Sequence, residues 1–171
     1  MRDGAVVWLT GLPASGKTTL AERLAARLRE VRVPSIVLDS DEVRDVIVPP
    51  LGHEESDRDA FYQTLGGLAS LLARRGLVVL VAATAHRRAW RDHARHRAPR
   101  FVEVYVATPL EECRRRDPKG LYAEADGLPH LPGVGVAYEA PLHPDVIAAE
   151  GDEAGAAEAV LAHLGIGEMT A

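Results

Sequence analysis

The chain has 171 residues, a formal net charge of −5 and a single cysteine, Cys113. This length suits one domain, residues 1–171, with a substantial core. The negative charge argues against a nucleic-acid partner, and one cysteine excludes an internal disulfide or a cysteine metal cluster. Because nothing at the start resembles a signal peptide and no apolar run reaches membrane-spanning length, we expect a cytoplasmic protein with no membrane partner.

The first predicted elements are a buried strand at residues 5–9, a loop, and an amphipathic helix at residues 19–28. The loop matches the pattern G-x-x-x-x-G-K-[ST] over Gly11-Leu12-Pro13-Ala14-Ser15-Gly16-Lys17-Thr18. In this pattern, backbone N–H groups and the helix N-terminus bind phosphates, the lysine reaches the outer phosphates, and the Ser/Thr hydroxyl ligates Mg²⁺. We therefore expect a nucleoside triphosphate and Mg²⁺ as cofactors, with Thr18 as the metal ligand and Thr19 beside it at the phosphate site.

Four further apolar runs predict strands, with helical patterns between them. They lie at residues 35–38, 77–82, 101–106 and, more weakly, 146–148. This alternation predicts an α/β three-layer sandwich of the P-loop nucleoside-triphosphate hydrolase type, with a parallel five-stranded sheet covered by helices on both faces. Ligands of such sheets bind beyond the carboxyl ends of the strands, so the residues that follow each strand are candidates for the site.

Two carboxylates and an arginine follow the second predicted strand. Transfer of a phosphoryl group to a hydroxyl needs a carboxylate that orients or deprotonates the nucleophile. Asp41 is the candidate base, and Asp39 is a candidate for holding Mg²⁺-bound water or orienting its neighbours. Arg44 follows Asp41 by three residues and is expected on the same helical face. The alternative is an Asp-rich helix cap with solvated charges.

The second half of the chain contains a predicted helix start and a long irregular segment. Thr108 is expected as an N-cap, with Pro109 as the first helical residue. Residues 117–144 have many Gly and Pro and no clear period, which predicts a lid or a binding loop, with a mobile lid favoured. Gly165 is the predicted stop of the last helix.

Residues 86–100 are strongly basic, with six arginines and three histidines. The plainest interpretation is a solvated helix face. The alternative is that Arg87 or Arg88 binds a phosphate or sulfate of the substrate at a helix terminus. One arginine of the run 114–116 is expected to meet ATP, and the sequence leaves open which one.

Taken in order, these motifs resemble the adenylyl-sulfate kinase family, which uses ATP to phosphorylate the 3′-hydroxyl of adenosine 5′-phosphosulfate. The resemblance covers nearly the whole chain and begins with the phosphate loop. It continues in Leu38-Asp39-Ser40-Asp41 with Val43-Arg44, in Leu51-Gly52 with Ser56-Asp57-Arg58, and in the strand at residues 101–106. The most specific match is Arg116-Asp117-Pro118-Lys119-Gly120-Leu121-Tyr122, with Tyr138-Glu139-Ala140-Pro141 downstream.

The resemblance implies roles for the matching residues. Asp41 corresponds to the catalytic carboxylate and acts with Lys17. Arg44 and Arg58 match arginines that hold the anionic acceptor, and Lys119 lies in a lid segment that contacts both substrates. A small nucleotide-like anion as partner and a homodimer are also implied.

The departures from the family concern the acceptor pocket. His53 and Leu131 stand where the family places two phenylalanines around the acceptor adenine, and Phe61 stands at an asparagine. Residues 83–86 replace Ile-Ser-Pro-Tyr, although Thr84 keeps a hydroxyl. The substrate-binding residues implied by the resemblance are therefore Asp39, Arg44, His53, Arg58, Phe61, Thr84, Lys119, Gly120, Leu121 and Leu131.

Two other functions stay open at this point. A changed pocket favours a related kinase that acts on another nucleotide-linked anion or a secondary metabolite. A nucleotide-dependent regulatory module is the third possibility, although the chain lacks the guanine-reading Asn-Lys-x-Asp motif.

Overall fold

The computed structural model describes residues 4–124 and 129–166. The strands in this part of the chain are β1 (Ala5–Thr10), β2 (Ser35–Asp39), β3 (Val78–Ala82), β4 (Phe101–Val106) and β5 (Val146–Ala148). The helices are α1 (Lys17–Glu30), α2 (Ser40–Val46), α3 (Glu55–Arg74), α4 (Arg88–Arg97), α5 (Leu110–Arg116) and α6 (Glu153–His163).

The strands form one parallel sheet in the order β2-β3-β1-β4-β5. β1 is central, and Val7 pairs with Leu80 on one side and with Val102 on the other. The predicted five-stranded parallel sheet is confirmed, and each strand lies within one residue of its predicted bounds. Because all strands are parallel, the loops after β1, β2, β3 and β4 meet at one edge of the sheet.

The sheet separates two apolar cores, and β1 contributes to both because it is buried on both faces. Val7 and Leu9 pack with the apolar faces of α1 and α6. Val6 and Trp8 pack with α3 and α4 through side chains such as Phe61. The two covered faces explain why the strands are continuous apolar runs.

The structure corrects one predicted helix start and confirms one predicted stop. The carbonyl of Pro109 accepts the first hydrogen bond of α5, from Cys113 N, so Pro109 is the N-cap and Thr108 lies outside the helix. Thr108 Oγ1 instead donates to the Ser15 carbonyl at 2.7 Å and ties α5 to the phosphate loop. Gly165, with a φ of +71°, follows the end of α6 as predicted.

Among the residues described, no helix combines the length and the apolar character that a membrane span requires.

Candidate active site

The phosphate loop, residues 11–18, connects β1 to α1, and its backbone shape depends on two glycines. A Cβ atom added to Gly11 would lie 2.5 Å from the carbonyl oxygen of Val106, so no side chain fits there. Gly16 caps α1 with a φ of +100°, a conformation that residues with side chains rarely adopt. Ser15 Oγ is buried without a hydrogen-bond partner in the described part of the chain. The loop is therefore a backbone cradle, as the motif predicts.

Lys17 folds back over this loop. Its Nζ donates to the carbonyl of Leu12 at 2.7 Å and to the carbonyl of Gly11 at 3.1 Å. Burial lowers the pKa of Lys17 to about 8, partly offset by the negative charges of Asp41 and Asp39. The amine is thus mostly charged at neutral pH and lies where the loop would hold phosphates.

A chain of polar contacts joins the phosphate loop to the lid. Thr18 Oγ1 donates to Asp39 Oδ2 at 2.6 Å, and Asp39 Oδ1 accepts from the backbone N–H of Asp41 at 2.9 Å. Lys119 Nζ forms an ion pair with Asp41 Oδ2, and this contact raises the pKa of Lys119. Asp39 is therefore both the N-cap of α2 and a neighbour of the phosphate loop. The helix-cap interpretation is confirmed for Asp39, and its role toward Mg²⁺ stays a prediction.

The side chains of Thr18 and Asp39 are suitable ligands for Mg²⁺. The Thr18 hydroxyl and the Asp39 carboxylate are hard oxygen donors, and they meet at the N-terminus of α1. Mg²⁺ prefers such oxygen ligands beside substrate phosphates. The donor set fits the predicted metal.

Arg44 and Arg58 lie beside this acidic segment and are held by backbone carbonyls. Arg44 Nη1 donates to the Gly52 carbonyl at 2.8 Å, and Arg58 Nη2 donates to the His130 carbonyl at 2.8 Å. The pKa of His53 is lowered by burial and then by the charges of these two arginines. The structure therefore brings His53 close to both arginines.

The predicted contact between Phe61 and the substrate is wrong for this structure. The Phe61 side chain belongs to the buried face of α3, has no exposed surface and lies in the apolar core. The guanidinium of Arg44 stacks on it, with Cζ 3.9 Å from the ring centroid. Phe61 therefore supports Arg44 and does not face the pocket.

The other predicted pocket residues lie on backbone-anchored turns. The Thr84 carbonyl accepts from Thr10 Oγ1 at 2.7 Å, which fixes the loop after β3 to the end of β1. Leu131 is only 7% exposed, and its carbonyl accepts from the N–H of Gly135. Gly120 has a φ of +67° in the turn after Lys119, and the half-buried Leu121 follows it.

The lid, residues 117–144, is described except for residues 125–128, and it lies directly on the phosphate loop. Tyr122 OH donates to the carbonyl of Pro13 at 2.9 Å, and Tyr138 OH lies 2.9 Å from Thr10 Oγ1. A Cβ atom on Gly133 would lie 2.6 Å from Leu12 Cδ2. The structure therefore has the lid against the loop, and lid movement stays a prediction.

The N-terminus of α4 is occupied by a carboxylate of the lid. The backbone N–H of Arg88 donates to Glu139 Oε2 at 2.8 Å, and Arg88 Nη1 donates to the carbonyl of Ala140 at 3.0 Å. Arg87 pairs with Glu55 at 2.5 Å. Glu139 therefore occupies the helix terminus that the alternative interpretation assigned to a substrate anion.

Arg116 is the arginine of the run 114–116 that lies next to the phosphate loop. Its Nη1 would be 3.8 Å from a Cβ atom on Gly16. Glu112 accepts from its Nε at 2.7 Å, and Glu150 accepts from its Nη2 at 3.2 Å. Two carboxylates thus hold this guanidinium beside the loop.

The sequence interpretation missed a buried ion-pair network between α4 and β4. Arg91 is 1% exposed, and its Nε donates to Glu103 Oε1 at 2.8 Å, although the basic stretch predicts a solvated helix face. Arg91 Nη2 also donates to the carbonyl of Glu139 at 2.6 Å, and Arg95 pairs with Glu103 at 2.9 Å. A carboxylate inside the apolar strand β4 is the signal that could have revealed this partner.

We expect replacement of Arg91 by methionine to lower the free energy of unfolding by about 3 kcal/mol or more. The substitution removes one of the two arginines that pair with the buried carboxylate of Glu103. A buried charge that loses its partner destabilises the folded state. Urea denaturation measures the change, with Arg97→Met, an exposed arginine on the same helix, as the control. A loss below about 1 kcal/mol, the range of a surface pair, would contradict the assignment of this network to the core.

Comparisons with known proteins identify the family of this chain. A family model described as adenylylsulphate kinase matches residues 3–149. A protein of Chloroflexus aurantiacus named adenylyl-sulfate kinase is 45% identical over 147 residues, which cover 85% of this chain and 79% of that protein.

Solved structures agree as well. The Mycobacterium tuberculosis APS kinase CysC in complex with AMPPNP and APS has a TM-score of 0.90 and 35% identity, and the match covers 96% of this chain and 99% of that one. A hexameric APS kinase from Thiobacillus denitrificans has a TM-score of 0.70 and 26% identity over 96% of this chain and 30% of its own. The resemblance and the fold predicted from the motifs are confirmed, and the chain belongs to the adenylylsulphate kinase family.

Proposed function

We propose that this protein transfers the terminal phosphoryl group of ATP to the 3′-hydroxyl of adenosine 5′-phosphosulfate and forms 3′-phosphoadenosine 5′-phosphosulfate. The observation that carries the proposal is the polar chain from Thr18 through Asp39 and Asp41 to Lys119. This polar chain links the phosphate loop to a carboxylate on the same helix as Arg44, which supports phosphoryl transfer to an anionic acceptor. The family membership and the related kinase in complex with AMPPNP and APS support the same reaction.

ATP binds at residues 11–19 in this proposal. The loop N–H groups and Lys17 hold its phosphates, and Arg116 is the arginine of the run 114–116 that contacts the nucleotide. Thr18 ligates Mg²⁺, with Asp39 beside it. When bound, Mg²⁺ neutralises charge on the phosphate oxygens.

The acceptor binds beside His53 and the two arginines in this proposal. Its phosphate and sulfate suit Arg44 and Arg58, because guanidinium groups bind such oxyanions in a bidentate manner. Asp41 accepts the proton of the 3′-hydroxyl as the 3′-oxygen bonds to the terminal phosphorus and ADP leaves with the electrons of the broken bond. Lys119 forms an ion pair with Asp41, and the lid excludes water that would otherwise accept the phosphoryl group.

Turnover with a panel of acceptors tests the proposal against a kinase with another acceptor. The panel contains adenosine 5′-phosphosulfate and its cytidine- and uridine-linked counterparts, each with ATP and Mg²⁺. We expect product from the adenosine compound, with His53 against its base in place of a phenylalanine. Product from another member and none from adenosine 5′-phosphosulfate would contradict the proposal, and ATP binding without any product would favour a regulatory module.

We also propose that the chain is a single kinase domain that acts as a homodimer in the cytoplasm. The hexameric relative supports self-association in this family. Light scattering of the purified protein measures the assembly directly. A mass of one 18.4 kDa chain would contradict the dimer.

We expect replacement of Arg58 by alanine to raise the Michaelis constant for the acceptor at least tenfold. A hydrogen bond to a charged group contributes about 1.5–3 kcal/mol, and the guanidinium is the group assigned to the acceptor anion. The Michaelis constant for ATP should change less than about twofold. Steady-state kinetics with each substrate varied in turn provides the measurement, with Arg23→Ala, an exposed arginine of α1, as the control. An unchanged acceptor constant would place the anion pocket elsewhere.

A further inference from the structure

The buried side chain of His86 contacts the arginine assigned to the acceptor. His86 is 6% exposed in the loop after β3, and its Nδ1 lies 3.3 Å from Arg58 Nη1. A guanidinium only donates hydrogen bonds, so Nδ1 must accept with a lone pair. The ring is therefore neutral, and its proton is on Nε2.

The surroundings of His86 favour the neutral ring. Burial is the largest cause, followed by the charges of Arg58 and Arg87, and Arg91 acts in the same direction. Glu139 in the lid opposes them, yet the pKa of His86 is lowered to about 4. The imidazole therefore stays a hydrogen-bond acceptor throughout the neutral range.

Packing fixes the plane of this ring. His86 meets Trp90 edge to face, with ring centroids 4.8 Å apart, and Trp90 stacks on Tyr62 at 4.5 Å. Tyr62 OH also accepts from the N–H of Ala85 at 3.1 Å, and the carbonyl of His86 accepts from the N–H of Glu139 at 2.8 Å. The aromatic stack and these backbone bonds hold Nδ1 in one place relative to Arg58.

Arg58 is thus fixed by two acceptors from different segments. Nη1 meets His86 in the loop after β3, and Nη2 meets the carbonyl of His130 in the lid. A guanidinium carries five N–H donors, so two such bonds orient its plane and leave donors for an oxyanion. The lid and the sheet edge therefore set the direction in which Arg58 faces the pocket.

We propose that His86 is a positioning residue for the acceptor: its neutral Nδ1 orients the Arg58 guanidinium toward the acceptor's anionic group. This inference rests on the proposed function, because the acceptor anion is assigned to Arg58 there. His86 touches neither the reacting oxygen nor phosphorus in this proposal and acts only through Arg58.

The first test locates the ring proton without any substrate. A two-bond ¹H–¹⁵N correlation spectrum of the ¹⁵N-labelled protein at pH 7 distinguishes the tautomers, and the His86 signals are those that disappear in His86→Asn. We expect the proton on Nε2 and a shift of Nδ1 in Arg58→Ala. A proton on Nδ1, or a charged ring, would overturn the proposal whether or not the protein phosphorylates adenosine 5′-phosphosulfate.

The second test separates positioning from a merely structural role. His86→Phe keeps a ring but removes the acceptor, and we expect the Michaelis constant for adenosine 5′-phosphosulfate to rise about tenfold. His86→Asn offers an amide oxygen near the Nδ1 position and should recover most of this loss. The Michaelis constant for ATP should change less than about twofold in both variants. In a protein that already carries Arg58→Ala, His86→Phe should raise the acceptor's Michaelis constant little further.

Equal losses of kcat in both variants with an unchanged acceptor constant would contradict the inference. The inference would also be contradicted if His86→Phe raised the acceptor's Michaelis constant tenfold in the Arg58→Ala background as well. If the wild-type protein itself forms no product, the proposed function fails, and the tautomer spectrum still decides whether His86 accepts from Arg58.

Discussion

Replacing Lys17 with alanine should reduce phosphoryl transfer about 10³-fold or more while the fold persists. The ammonium lies on the loop carbonyls of Gly11 and Leu12, where it would meet the outer phosphates of ATP. A fixed cation of this kind stabilises charge that develops in the transition state, and removal of one such donor costs about 10²–10³ in rate. The loss of phosphate binding adds to this effect.

A coupled assay for ADP formation measures the effect of Lys17→Ala, and circular dichroism tests the fold. Arg23→Ala is the matched control, since it removes an exposed cation from the same helix. The control should keep wild-type activity. If Lys17→Ala retained a tenth of the wild-type rate, the phosphate loop would not be where transfer occurs.

Replacing Asp41 with asparagine should lower kcat by about 10²–10⁴, the usual contribution of a general base. Asparagine has the same shape but cannot take the proton of the acceptor hydroxyl, and it also removes the ion pair with Lys119. Neither Michaelis constant should change by more than a few-fold, because the groups assigned to substrate binding are intact.

Single-turnover kinetics with saturating substrates measures this step directly. Asp45→Asn, on the same helix and also exposed, is the control and should leave kcat unchanged. A variant Asp41→Asn with normal kcat and a raised acceptor constant would make Asp41 a binding residue and leave the reaction without its assigned base.

The strands and the phosphate loop could be predicted because each depends on residues that are neighbours in the sequence. Parallel strands covered on both faces must be continuous apolar runs, and residues 101–106 and 146–148 are confirmed at their predicted bounds. The phosphate loop was predictable because Gly11 and Gly16 are required by a close backbone approach and a positive φ. Both requirements concern residues within a few positions of each other, so they can be recognised in the sequence.

The features that were not predictable depend on partners far apart in the chain. Arg91 belongs to a basic helix by pattern, and only the pairing of β4 with its neighbours brings Glu103 against it. Thr108 has the residue type of an N-cap, yet Pro109 caps the helix and the Thr108 hydroxyl donates to the carbonyl of Ser15. Phe61 was placed by its position in the family motif, whereas the core beneath Arg44 determines its burial.

The central claim is that Asp41 presents an acceptor hydroxyl to a triphosphate held by residues 11–18. A crystal structure with AMPPNP, Mg²⁺ and adenosine 5′-phosphosulfate tests it most directly, through the distance from the Asp41 carboxylate to the 3′-oxygen. We predict hydrogen-bond reach, about 2.6–3.2 Å, with the 3′-oxygen facing the terminal phosphorus. A closed complex in which Asp41 lies well beyond that reach, with no water between the two groups, would contradict the account.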